Sequence, residues 1–241
     1  MWRIYDYVIV AINNVKILNN NERLINMPGQ AAFFPMLLLI FILTLLLSKI
    51  LAMVMQVCLQ QAVSLLAKPE NIRKKQTRRK ISLFFLLFPL YVLSYYVAAD
   101  IQKLFLLWIF IAFMVFISIM DFEQQIILDK VVLCLLLAAL VFAACLPETF
   151  INRLFAALAG GAVFLLLAVI TKGGIGGGDI KLIFALGLWL GADKLLLTVL
   201  LGCLSAGVIS VLLLLGKIKK PQDTIAYGPY FALSAIIALL I

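Results

Sequence analysis

The chain has 241 residues, of which 66% are hydrophobic and 13% are charged. Soluble domains are roughly 45–50% apolar and about 25% charged, so this composition excludes an ordinary soluble protein and predicts an all-α helical bundle that crosses a membrane several times. The formal net charge of +9 would suit a nucleic-acid partner, but the basic residues bunch in short segments between apolar runs. That distribution encodes orientation in a membrane, so we predict no nucleic-acid partner.

The cysteine and histidine content limits the kinds of catalytic and metal site that the chain can form. The chain has no histidine, which excludes a Ser-His or Cys-His nucleophile and the usual histidine zinc site. Its cysteines form no C-x-x-C pair, so they indicate neither a disulfide framework nor a metal site. We interpret them as small buried hydrophobic residues, Cys58, Cys134, Cys145 and Cys203.

The N-terminal part combines a polar tail with a first apolar run. Residues 1–30 are rich in Asn and too polar to span a membrane, so we expect a tail with an interfacial helix over residues 2–15. A first span is predicted over residues 31–48, and Lys49 can extend from its end to the interface. The most basic loop follows at residues 67–80, and the positive-inside rule places it in the cytosol. Topology alone explains this loop adequately.

Seven further apolar runs complete a bundle of about eight spans with both termini outside. A helix rises about 1.5 Å per residue and the hydrocarbon core is roughly 30 Å thick, so the shorter runs can just cross with help from their flanks. We divide the chain into the tail over residues 1–30, N-terminal spans over 31–98 and a membrane core over 99–241. The seven runs are residues 81–98, 103–120, 131–146, 154–171, 180–192, 195–216 and 230–241.

A glycine cluster ending in an acid lies between two apolar runs, at residues 172–181 with the sequence KGGIGGGDIK. A carboxylate at the edge of a hydrocarbon layer is costly, so Asp179 indicates a site with a nearby partner. Asp121 is the best candidate, because it ends an apolar run and the alternating spans return it to the same cytosolic face. Glu123 is its main competitor, and the simpler interpretation of Glu123 is a solvated loop acid.

The simpler interpretation of Asp179 is an N-cap for a helix that starts at Ile180. However, two carboxylates held close cannot both ionise cheaply, so one keeps a proton while the other stays charged. Such a pair activates water for attack on an amide carbonyl without a metal or a cofactor. Gly176, Gly177 and Gly178 lack Cβ, which permits unusual backbone angles and the close approach of another backbone, such as that of an extended substrate.

Three motifs in order resemble one family. The sequence GGGDIK at residues 176–181 resembles the G-x-G-D-x-K signature of bacterial type IV prepilin peptidases, which are membrane aspartic proteases. These enzymes also carry an Asp after a span and a second Asp eight positions on, matching Asp121 and Asp129. The sequence IAYGPYFA at residues 225–232 is similar to the family's I-P-F-G-P-F/Y-L-A segment, with Ala226 in place of the usual Pro.

The resemblance implies an eight-span enzyme of the bacterial inner membrane that removes a short basic leader from type IV prepilins or type II secretion pseudopilins. Cleavage would occur on the cytosolic side, after a glycine and before a hydrophobic helix. By this match, Asp121 and Asp179 are the catalytic pair. Lys181 either biases Asp179 toward its ionised form or faces lipid headgroups. Residues expected to shape the site or to bind the substrate are Asp129, Gly176, Gly178, Lys181, Gly228 and Pro229.

One departure from the family and two alternatives accompany this interpretation. Most members of the family have a cytosolic domain with two C-x-x-C pairs that bind zinc, and they also N-methylate the new pilin N-terminus. This chain shows no such pair, which favours a peptidase without methylation. The first alternative keeps the acid pair but changes the membrane substrate, although Met120 precedes Asp121 where presenilin-type proteases have Tyr. The second alternative is a transporter or assembly scaffold whose acids bind protons or cations.

Overall fold

A computed structural model describes residues 30–63, 70–98, 101–144, 147–172, 174–218 and 225–241. The predicted tail and its interfacial helix over residues 2–15 lie outside the described residues. The described part contains no strand, which confirms the all-α expectation. Its eight helices are α1 (Gln30–Val63), α2 (Glu70–Val97), α3 (Ile101–Gln124), α4 (Asp129–Ala144), α5 (Pro147–Ile170), α6 (Gly177–Leu190), α7 (Ala192–Leu215) and α8 (Gly228–Leu240).

The helices are those of a multi-pass membrane protein. Each predicted span falls on one helix, and five helices in the described part are long and apolar enough to cross a membrane, namely α1, α2, α3, α5 and α7. The others, α4, α6 and α8, have 16, 14 and 13 residues. At about 1.5 Å per residue these three are shorter than the roughly 30 Å hydrocarbon core, so they need their flanking residues to cross it.

The chain divides into two compact units, residues 1–43 and 44–241. Of the first unit, the described part is the start of α1. In the second unit, α3 is the most enclosed of the five long helices, with 67% of its apolar window buried compared with 22% in each of the others. The short helix α6 packs against α4, α5, α7 and α8. Its residues from Leu182 onward are buried except for Phe184, so it occupies the centre of this unit.

Glycines at two helix crossings allow this packing. A methyl group added to Gly187 of α6 would lie 2.5 Å from the Ala157 backbone of α5, and one added to Gly202 of α7 would lie 2.5 Å from the Phe231 ring of α8. Small residues at helix crossings let backbones approach closely in a membrane, where association depends on packing more than on the hydrophobic effect. These contacts hold α5, α6, α7 and α8 together.

The end of α6 remote from Asp179 is fixed by side chains of α5. Gly191 ends the helix with φ +80°, in the left-handed region that favours glycine. The Arg153 guanidinium donates to the Leu188 carbonyl at 3.3 Å and also to that of Trp189. A cation at a helix C-terminus satisfies carbonyls that have no partner within the helix. Both the Arg153 hydrogen bonds at its C-terminal end and the packing of the neighbouring helices therefore hold α6 in position.

Two sequence predictions about the N-terminal spans and the cysteines are wrong. The segment predicted as a basic loop at residues 67–80 is helical from Glu70 onward, since α2 begins there. Residues 70–80 contain no Gly or Pro and are mostly good helix formers. In addition, Cys134 and Cys203 are exposed and not buried, while the side chains of Cys58 and Cys145 lie outside the described residues. A membrane protein can present small apolar side chains to lipid, so apolar character does not place them in the core.

We expect Gly187→Ala to lower stability. The added methyl group would collide with the α5 backbone at Ala157, and overpacking of this kind costs roughly 1–3 kcal/mol. The thermal unfolding midpoint of the purified protein in detergent measures the effect. Gly207→Ala on α7 is the matched control, because a methyl group there meets nothing within 4 Å. Equal losses in the two variants would contradict the proposed α5–α6 contact.

Candidate active site

Asp121 lies near the C-terminal end of α3 and is only 5% exposed. The helix continues through Gln124, and the Gln125 N–H then donates to the Asp121 carbonyl at 2.8 Å. Gln125 has φ +54°, which turns the chain away from the helix axis. The chain then passes through residues 126–128 to Asp129, where α4 begins two residues ahead of the span predicted at residues 131–146.

The Asp121 carboxylate is held by the start of α8. The Gly228 backbone N–H donates to Asp121 Oδ2 at 2.8 Å. A methyl group added to Gly228 would lie 2.7 Å from that oxygen and 3.0 Å from Cγ, so glycine is required for this approach. Pro229 follows within the first turn of α8, where a missing N–H costs nothing and its fixed φ suits the helix. The structure thus brings Gly228 to the site, as the third motif suggested.

Asp179 lies in the first turn of α6, three residues after the N-cap Gly176. The helix begins at Gly177, so the simpler interpretation of Asp179, an N-cap ahead of Ile180, is wrong. The Asp179 N–H donates to the Gly176 carbonyl at 3.0 Å. This bond places the carboxyl group beside the exposed N-terminal turn of the helix.

The expectation that the glycine cluster uses unusual backbone angles is also wrong for its described members. Gly176 has φ −67° and ψ 141°, which any residue adopts, and Gly191 is the only described glycine with positive φ. Close approach is required at Gly178 instead, where an added methyl group would lie 2.8 Å from Ile127 Cβ. Gly178 thereby lets the segment between Asp121 and Asp129 pack on α6. Gly177 faces open space.

The two candidate catalytic acids are within electrostatic reach of each other. Asp179 lies outside the five candidate spans, and burial raises the pKa of its carboxyl group to about 6. Burial is the largest cause, and the same value of about 6 includes the Asp121 carboxylate, which also raises the pKa, and a hydrogen bond from the Gly176 backbone, which lowers it. Asp179 Oδ1 is buried, and no hydrogen-bond partner for it exists among the described residues. A buried acceptor without a partner is costly, so this oxygen is suited to bind an incoming group.

Lys181 binds Asp129 and is not among the groups that shift the pKa of Asp179. Its Nζ lies 2.7 Å from Asp129 Oδ1, joining the first turns of α6 and α4. The two side chains are 55% and 72% exposed, and exposed pairs of this kind contribute about 0–1 kcal/mol. Asp179 therefore has a carboxylate as its principal charged neighbour, and Lys181 is engaged elsewhere.

A buried ion pair that the sequence did not reveal connects α2 to the end of α3. Arg79 Nη2 lies 2.6 Å from Glu123 Oε2, and its Nε donates to the same oxygen at 2.8 Å. The Arg79 side chain is 2% exposed and the Glu123 side chain is 21% exposed. Glu123 is thus neither a solvated loop acid nor available as a partner for Asp179, and topology alone does not explain Arg79.

The sequence carried one signal for this pair. Arg79 begins the apolar part of α2 and Glu123 nearly ends α3, so two antiparallel helices place these charges at the same end. Tyr91 and Trp108 stack further along the two helices, with ring centroids 5.2 Å apart. The Trp108 indole also donates to Ser94 Oγ at 3.0 Å. An ion pair, an aromatic stack and a hydrogen bond therefore hold α2 against α3, the helix that carries Asp121.

The comparisons with known proteins agree with these motifs. Residues 108–211 match the model of the Type IV leader peptidase family, which confirms the resemblance seen in the sequence. Proteins named prepilin leader peptidase/N-methyltransferase are similar to this chain. That of Pseudomonas aeruginosa is 35% identical over 129 residues, 51% of this chain and 44% of the relative. That of Escherichia coli is 34% identical over 142 residues, which are 55% of this chain and 61% of the relative. No solved structure matches.

The matched region covers part of each protein and does not include every residue of the candidate site. The aligned region spans about half the length of these curated relatives. The family match includes Asp121, Asp129 and Asp179 but ends before Gly228. The contact between Gly228 and Asp121 shows that the C-terminal helix beyond the matched residues belongs to the same site.

We expect Asp179→Asn to stabilise the protein at neutral pH. The folded pKa of about 6 lies above the model-peptide value of 3.8, so folding favours the protonated acid and parent stability falls as pH rises between these values. Asparagine does not titrate. The stability difference between variant and parent should therefore grow from pH 4 to pH 6 and stay constant above. Thermal unfolding midpoints across this range measure it, and a variant that is less stable than the parent at neutral pH would contradict the assignment.

We also expect Glu123→Leu to destabilise the fold, because it leaves the Arg79 guanidinium buried without a partner. Breaking a buried pair costs about 3–5 kcal/mol, and the partial exposure of Glu123 suggests the lower end. Adding Arg79→Met should restore most of the loss. Denaturant unfolding of both singles and the double variant measures the coupling energy. The exposed pair gives the control, since the same cycle on Lys181 and Asp129 should yield no more than about 1 kcal/mol.

Proposed function

We propose that the chain is a membrane aspartic endopeptidase that removes the short basic leader from type IV prepilins or type II secretion pseudopilins. One observation carries this proposal: helices α3 and α6 bring two carboxyl groups within electrostatic reach, and Asp179 Oδ1 is buried without a hydrogen-bond partner among the described residues. The names of the relatives that match this region support the reaction. The acid pair supplies its chemistry.

The roles of the two acids follow from their surroundings. The raised pKa of Asp179 makes it the acid that holds the shared proton, and it donates this proton to the oxygen of the scissile carbonyl. Asp121, held by the Gly228 N–H, takes a proton from water as the water attacks the carbonyl carbon. When the tetrahedral intermediate collapses, the proton on Asp121 passes to the leaving amine, and the hydroxyl group that received the Asp179 proton returns it to Asp179 as the carbonyl group re-forms. The cycle needs no covalent bond to the enzyme.

The substrate must reach these acids from the side on which α6 begins. We place this side in the cytosol and the protein in the bacterial inner membrane, because the basic residues at the start of α2 lie at the same end as Glu123. The scissile bond would lie against the exposed turn at Gly176 and Gly177, where no side chain blocks approach. Extended backbone at membrane depth is tolerated where it lines a wet cavity.

The reaction proposed here is leader cleavage alone. The relatives' names also include N-methyltransferase, whereas the paired carboxyl groups of this chain supply the chemistry of hydrolysis. The alternatives of a transporter and of a scaffold have no support in the comparisons, since the matched relatives carry the names of peptidases.

We expect Asp121→Asn and Asp179→Asn each to lower cleavage of a precursor with a basic leader and a Gly-Phe junction by about 10²–10⁴-fold. This is the usual contribution of a general acid or base. Purified protein in lipid vesicles and a gel assay of the released leader measure the rate. Asp193→Asn is the matched control, because Asp193 is exposed at the opposite end of α6 and its loss should leave the rate unchanged. Near-full activity in either dyad variant would contradict the mechanism.

We further expect Gly228→Ala to reduce kcat more strongly than it raises KM. The added methyl group would displace the Asp121 carboxylate, which acts in the transition state and contributes little to ground-state binding. Steady-state kinetics on the same precursor separate the two constants. Gly207→Ala, which adds a methyl group in open space on α7, should behave as the parent. A Gly228→Ala variant with unchanged kcat would show that this contact does not position Asp121.

A further inference from the structure

A groove of about 580 Å³ opens on the outer surface where α4, α5 and α6 meet. One end is marked by the Asp129–Lys181 ion pair, and Lys130 lies beside it. The rest of the lining is apolar and comes from all three helices. The principal apolar side chains are Val132, Leu133, Leu136, Leu165, Ile180 and Phe184.

The groove begins at the same end of α6 as the candidate catalytic acid Asp179. Ile180 and Lys181, which line it, directly follow Asp179 in α6. Both α4 and α6 start at this end, at Asp129 and Gly177. The lining residues of α4 extend from Asp129 to Leu136, which at about 1.5 Å per residue covers two helical turns, roughly 10 Å, away from the site. The groove thus runs lengthwise along these helices and away from Asp179.

We propose that this groove binds the first two turns of the apolar helix that follows the cleavage point of the substrate. This proposal rests on the proposed function, which requires an apolar helix immediately after the scissile bond. Gly177 is exposed, faces open space and lies one turn before Lys181 on the same face of α6, so a substrate chain that crosses this turn from the acids reaches the start of the groove. The apolar lining then replaces lipid contacts of the substrate helix, and packing of complementary surfaces is what drives helix association in a membrane.

The ion pair at the groove entrance suits a substrate with a basic leader. Asp129 is 72% exposed, and its bond to Lys181 is an exposed one, so exchanging it for another cation costs little. A basic side chain of the leader can therefore take the place of Lys181 on Asp129 while the apolar helix enters the groove. Asp129 then contributes to binding, and Asp121 and Asp179 contribute to the reaction.

A bulky side chain in the groove should test this assignment. Leu133 is 55% exposed, so Leu133→Trp fills the groove without entering the core. We expect KM for the membrane-embedded precursor to rise about tenfold or more, as when apolar contacts are lost from a pocket. A short peptide that spans the junction but lacks the apolar helix should be cut by variant and parent at the same rate. Val208→Trp is the control, since Val208 is 52% exposed on α7 in a separate shallow groove.

Cross-linking tests the same site without turnover. Leu136→Cys in the Asp121→Asn background should form a disulfide with a cysteine in the first turns of the precursor's apolar helix. Native Cys134 on the same helix is exposed but does not line the groove, so it should form none. The bond at Leu136→Cys with no bond at Cys134 supports the proposal.

Three outcomes would overturn the proposed binding groove, and a fourth separates it from the proposed peptidase function. Equal cross-linking of the precursor to both cysteines would show that the groove has no preference for the substrate helix. Labelling of Leu136→Cys by a photoreactive phospholipid that the precursor does not reduce would show that lipid fills the groove. Unchanged KM in Leu133→Trp would show that cleavage does not use the groove. If the precursor cross-links at Leu136→Cys and the parent never cuts it, the peptidase function fails while the binding groove remains.

Discussion

The contact between the Asp121 carboxylate and the Gly228 backbone is the constraint on which the site depends. Asp121 is 5% exposed and receives a hydrogen bond from the first residue of α8. A carboxylate in this environment is costly unless it is hydrogen-bonded, so α8 must begin here and must begin with glycine. The packing of Gly202 against Phe231 then holds α7 against α8. The helix that binds Asp121 is therefore itself positioned by α7.

The ion pairs around the site divide the acids by role. Glu123 is bound to a buried arginine and Asp129 to an exposed lysine. Asp121 and Asp179 have no such cation in the described part of the chain, and each instead interacts with the other. A close pair of carboxyl groups without a cation favours a state with one shared proton more than two isolated acids do, and the proposed hydrolysis requires this state. The neighbouring pairs keep the other acids from disturbing this state.

The apolar runs, the two acids and the third motif were all visible in the sequence. Length and hydropathy locate membrane helices well, and Asp121 and Asp179 stood out because acids at span ends are costly. The partners of Arg79 and Lys181 were not visible, because they depend on how each helix is rotated about its axis. The positive-inside rule accounts for the presence of a basic residue at a span end, but it does not identify the residue that it binds.

The glycines illustrate the same limit. Their cluster predicted a special backbone, but Gly178 is required by the Ile127 side chain and Gly228 by the Asp121 carboxylate. Both are contacts between segments that are distant in sequence, and a single sequence does not reveal them. The start of α6 at Gly177 was missed for a related reason, since glycine is a poor helix former and tertiary packing overrides that preference.

The convergence of Asp121 and Asp179 is the central claim, and thiol cross-linking tests it most directly. In a background without the native cysteines, Asp121→Cys paired with Asp179→Cys should be joined by a short bis-methanethiosulfonate reagent. Phe122→Cys paired with Asp179→Cys should not, because Phe122 is 79% exposed on another face of α3. Efficient joining of the first pair alone is the predicted result. If the first pair is not joined, or if both pairs are joined equally, the two acids do not share one cavity and the dyad mechanism is contradicted.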